Sequence, residues 1–130
     1  MTYNEFYTEF ARLLLSISSE THAKKKEGIS HFRAAVKQQL IKLEGSRDDF
    51  NLGDEMYTEF ELEEMAEEHH NMQEAFKSFS NFIQNNSKSI NQQLKVLIRD
   101  SVVKVAEANP DLMPEEKKLV ASLKRKLAKI

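Results

Sequence analysis

Apolar residues in this chain recur every three or four positions over long stretches that only three glycines and two prolines interrupt. That spacing is the period of an α-helix, whereas sheets need strict alternation and frequent turn residues. The chain is therefore expected to be all-α. Phe6, Phe10, Leu13, Leu14 and Ile17 share one face of a first helix expected over about 3–19, with a polar far side. A second, over about 24–44, sets Ile29, Phe32, Val36, Leu40 and Leu43 in a stripe, with Gly28 a mild cost in its first turns. A third, over about 54–68, is strongly acidic but keeps Met56, Phe60 and Met65 for packing. Asn71 followed by Glu74 has the form of a capping box opening a fourth helix, whose inner face is Phe76, Phe79, Phe82 and Ile83. Residues 85–87 break the chain. Ser87 then reads as the start of a fifth helix, over about 88–108, carrying Ile90, Leu94, Leu97, Ile98, Val102 and Val105. Pro114 suits the first position of a sixth helix running to the carboxyl end, with Leu119, Val120, Leu123 and Leu127 on its apolar side. No linker divides these segments, so residues 1–130 are expected to form one domain, a size that buries roughly two-thirds of the unfolded chain's surface.

Several function classes are unfavoured at once. The chain has no cysteine, which excludes disulfides, thiolate zinc sites and cysteine nucleophiles. No apolar run approaches the roughly eighteen residues that suggest a membrane span, and the first ten residues carry acids where a signal peptide carries bases. A cytoplasmic protein without membrane insertion is expected. There is no Gly-rich phosphate loop, nucleophile elbow or zinc-protease helix motif, and no acid–base pair that spacing alone would support. A non-enzymatic role is expected on that ground.

The sequence also echoes itself. An apolar helix ending in a polar turn and restarting on a glutamate occurs once at Glu20 to Glu27 and again at Asn109 to Glu116, with the same spacing. Two such helix–turn–helix units could face each other across a bundle and bring their turn carboxylates together.

With these residues the chain resembles the TerB-like family, the helical domain named from tellurite-resistance proteins. The family pattern is an apolar helix, Asp-Gly, an aliphatic residue two positions on, and a glutamate seven positions after the aspartate, in two related halves. Here Glu20, Thr21, Ala23 and Glu27 occupy those positions in the first half, and Asn109, Pro110, Leu112 and Glu116 in the second. The acidic stretch 59–68 leading into Glu74-Ala75-Phe76-Lys77-Ser78-Phe79 is similar to divergent members. The resemblance implies an all-helical binding or scaffold module of stress responses, including tellurite and metal challenge, without established catalysis. It further implies a divalent cation of the calcium or magnesium class at the turns. Glu20, Glu27, Asp111 and Glu116 are then the oxygen ligands and Asn109 a neutral one. The departures fall on the ligands themselves: Asn109 removes a charge and Glu20 moves its carboxylate by a methylene, both unfavourable for a hard cation.

A competing account needs no metal. Glu27 and Glu116 fall in first helical turns, where a carboxylate complements the helix dipole and reaches back to free amides. Lys24 and Met113 stand where a Ser or Thr would complete each box. On this account the protein is purely structural or oligomeric.

One further cluster stands apart. Glu67 and His70 have Glu-x-x-His spacing, but di-iron bundles need that motif twice and it occurs here once. His69 and His70 at the end of an acidic helix are expected to be solvated, with fortuitous zinc or nickel binding the sharper alternative.

Charge is unevenly distributed despite a formal net charge of −2. From residue 44 to 74 Arg47 is the single base, whereas Lys117, Lys118, Lys124, Arg125, Lys126 and Lys129 make the last helix basic. Such a chain can self-associate head to tail or dock an oppositely charged protein partner, and it can equally fold so that the basic helix lies beside the acidic one. The basic helix carries no aromatic residue, which argues against nucleic acid. Its stripe Leu119, Leu123, Leu127 and Ile130 suits a core face better than a membrane surface.

Overall fold

A computed structural model describes residues 3–19, 71–110 and 112–130, and these form four α-helices and one short 3₁₀ turn. The helices are α1 (Tyr3–Ser19), α2 (Met72–Asn85), α3 (Gln92–Glu107) and α4 (Pro114–Lys129). There is no strand among the described residues, in keeping with the all-α expectation. The expected second and third helices, and with them the later part of the first helix–turn–helix unit, lie outside the described residues.

Each boundary has a local cause. Asn71 is extended and its Oδ1 accepts from the Glu74 amide at 3.0 Å, so the asparagine half of the expected box opens α2. Asn86 closes that helix through its Nδ2, which donates to the Phe82 carbonyl at 2.8 Å. The start of the next helix differs from expectation. Ser87–Ser89 form a single 3₁₀ turn without a side-chain cap, Ile90 is extended, and α3 begins only at Gln92. Asn91 is the reason: its Oδ1 accepts from the Leu94 amide at 2.8 Å, and asparagine caps at least as well as serine. Pro114 takes the first position of α4 as expected, since its missing N–H belongs to the group that no helix satisfies internally.

The helices pack pairwise, α1 against α2 and α3, and α4 against the same two. Thus α2 and α3 both bridge α1 and α4. Phe6 and Phe10 of α1 meet Phe79 and Phe82 of α2 with ring centroids 5.9 to 6.4 Å apart, within the range where aromatic pairs attract. Ile98, Val102 and Val105 from α3 and Leu123 and Leu127 from α4 continue the core. At the surface between α1 and α2, the Ser78 hydroxyl donates to Glu9 Oε2 at 3.0 Å.

The polar far side expected for α1 is present but narrow: Glu5 and Arg12 are exposed, and Thr8 and Glu9 half-buried, on one stripe of the helix. Tyr7, Ala11, Leu15 and Ser16 are buried as completely as the expected face, and of residues 5–17 only Glu5 and Arg12 are fully exposed. Enclosure on most sides leaves α1 a single solvent stripe, and that stripe carries its polar residues at helical spacing. Buried Ser16 is satisfied within the helix, its hydroxyl donating to the Leu13 carbonyl at 2.6 Å.

Candidate functional site

The second helix–turn–helix unit is the part of the sequence echo that the described residues contain. Its turn follows directly from how α3 ends. The Ala108 amide still donates to the Lys104 carbonyl at 3.0 Å, and the Asn109 amide reaches only three residues back, to Ala106, at 3.1 Å. That tightening, followed by Pro110, stops the helix. Leu112 is buried and so pins the far side of the turn to the core before Pro114 opens α4.

Two of the five residues assigned to a cation are placed by the structure. Asn109 is buried, at 3 % exposure, and its Nδ2 donates to the Ile17 carbonyl at 2.9 Å. Ile17 lies in the last turn of α1, whose final carbonyls have no partner within the helix. Asn109 therefore ties the second turn to the end of the first helix, a role that needs an amide donor and that an aspartate could not fill. Glu116 is half-buried in the first turn of α4, and its Oε1 accepts from the Met113 amide at 2.8 Å. That is the reach-back half of a capping box. Glu20, Glu27 and Asp111 lie outside the described residues, as do Glu67, His69 and His70. Among the described residues no group of three or more His, Asp or Glu side chains could hold a metal ion.

Next to this turn lies a feature that the sequence reading passed over. An open, mainly apolar groove of about 410 Å³ runs between α3 and α4 and ends against Asn109 and Pro110. Val103, Ala106, Leu112 and Val120 are half-buried or buried and form its floor, while Glu107, Lys117 and Lys124 are exposed at its edges. Its volume falls in the range typical of ligand sites, roughly 300–1,000 Å³, and its lining has their usual make-up of apolar walls with a few polar groups. The signal was present in the sequence as Lys117, Val120 and Lys124, which fall on one stripe of α4 at steps of three and four. The pull of the neighbouring leucine stripe towards the core obscured it.

No helix among the described residues is long and apolar enough to cross a membrane. Comparison with family models, with curated proteins and with solved structures finds no match to this chain.

Proposed function

We propose that this protein is a non-enzymatic, TerB-like binding module of the cytoplasm, serving a stress response as a scaffold, and that it docks partners through the α3–α4 groove. The observation that carries the docking role is the groove itself: aliphatic floor, charged edges, and a position beside a turn that is hydrogen-bonded at both ends. Such anchoring matters because a preformed site loses less conformational freedom on binding.

Within this reading the second turn is a structural clasp. The Asn109 amide and the Glu116 carboxylate are each engaged with backbone groups at helix ends, which favours the account in which the echoed residues hold helix ends over the account in which they hold a cation. The clasp also fixes one end of the groove, since Asn109 belongs to both.

The docking role is tested by titrating isotope-labelled protein with small apolar probes such as isobutanol and phenol and following amide and methyl shifts. Saturable shifts at Val103, Leu112 and Val120, lost in Val120→Asp with the helical circular dichroism retained, are expected. Shifts that scatter over the surface without saturating would leave a purely structural protein.

A further inference from the structure

Resting on the docking role just proposed, we infer that the occupant of the α3–α4 groove is an acidic amphipathic helix of a protein partner, which sets two carboxylates seven residues apart astride one apolar side chain. Three observations lead there.

The first is the stripe Lys117, Val120 and Lys124 on α4. Seven residues of helix advance about 10.5 Å, so the two ammonium groups stand two turns apart with the valine between them. A small ligand with one anionic group reaches only one of these. A second helix laid along α4 carries the same repeat and meets both, with its apolar residue at the third or fourth position between its acids, as helix-in-groove recognition requires.

The second is charge. Lys117 and Lys124 are exposed and form no ion pair with another described residue, which leaves both open towards a partner. They belong to a strongly basic part of the chain, residues 71–130 holding eleven Lys and Arg against six Asp and Glu. Along α4 itself six Lys and Arg face only Glu115 and Glu116, and this local excess of positive charge attracts acidic groups.

The third is Glu107 on the opposite edge of the groove, also exposed. It opposes carboxylates on the α3 side. The partner's acids are therefore confined to the α4 side, which fixes how the incoming helix is rotated about its own axis.

The test uses the full chain and three synthetic helical peptides. One carries Glu-x-x-Leu-x-x-x-Glu, the second has lysine in place of both glutamates, and the third keeps the glutamates but moves them to the face opposite the leucine. The first peptide is expected to shift Val103, Ala106, Leu112 and Val120 saturably, and the other two to bind more weakly by a few-fold to about thirtyfold, the range that two exposed ion pairs supply. In the double variant Lys117→Glu/Lys124→Glu, whose changed side chains are both exposed, the preference should reverse in favour of the lysine peptide. Equal binding of the glutamate peptide to the parent protein and the double variant would overturn the inference. If the lysine peptide occupies the groove of the parent protein and the glutamate peptide does not, the docking role stands and the acidic partner is wrong. If no peptide shifts the groove at millimolar concentration, both fail.

Discussion

The side-chain amide of Asn109 donates to the backbone carbonyl of Ile17 across 2.9 Å, joining residues 92 positions apart in the sequence. One bond thus seats the turn between α3 and α4 on the end of α1. It depends on a donor. Asn109→Ala is expected to destabilise the protein by about 1–3 kcal/mol, the usual cost of leaving a buried polar group without its partner. Asn109→Asp restores the residue that the family resemblance places here, yet it should cost at least as much, because it sets a carboxylate oxygen against a carbonyl oxygen in a buried place. Urea unfolding of the two variants checks this. An aspartate variant as stable as the parent would mean that the tie is not what holds the turn.

Glu116 offers a separation of charge from hydrogen bonding. Its Oε1 accepts from the Met113 amide, and glutamine presents the same acceptor. Glu116→Gln should therefore lie within about 0.5 kcal/mol of the parent protein, whereas Glu116→Ala should lose about 1 kcal/mol. Equal losses for both would show that the carboxylate acts through its charge.

The asparagine caps of α2 and α3 can be read in the same way. Asn71→Ala and Asn91→Ala should each cost about 1 kcal/mol, and the corresponding glycine variants only a few tenths. Ser87→Ala, at the position where the sequence suggested that the fifth helix starts, should cost much less than Asn91→Ala, since Ser87 lies inside the 3₁₀ turn and Asn91 is the residue that caps α3. Thermal unfolding followed by circular dichroism ranks the three.

Ser101 is a case where removing a polar atom should help. Its hydroxyl lies fully buried in α3 without a hydrogen-bond partner among the described residues. Ser101→Ala removes a desolvated group and raises helix propensity, so a stabilisation of about 1 kcal/mol is expected from chemical denaturation. A loss of stability would mean that the hydroxyl has a role in packing that outweighs its missing bond.

How far the sequence carried the fold can be traced residue by residue. α1, α2 and α4 were legible because Phe6 to Ile17, Phe76 to Ile83 and Leu119 to Leu127 keep the helical period, and because Asn71 and Pro114 mark helix starts by well-defined chemistry. The start of α3 was misplaced because the sequence offers two capping residues, Ser87 and Asn91, within four positions, and the choice between them is made by the intervening 3₁₀ turn. Burial of Tyr7, Ala11 and Leu15 was illegible for a different reason: a helix enclosed on most sides shows no single apolar stripe. In the candidate site, Asn109 and Glu116 were singled out by their place in a repeat, but the partners that define their roles are a carbonyl far away in sequence and an amide three residues back. The groove needed α3 and α4 together, since its floor is shared between them.

The most direct test of the central claim is a titration of metal-stripped protein with calcium, magnesium, manganese and zinc, followed by amide shifts of Asn109, Met113 and Glu116. If this turn is a clasp for helix ends, those amides stay in place up to millimolar ion, and Glu116→Gln behaves as the parent protein does. Saturable shifts centred on Asn109 and Glu116 that disappear in Glu116→Gln would contradict the account and make the turn an ion site.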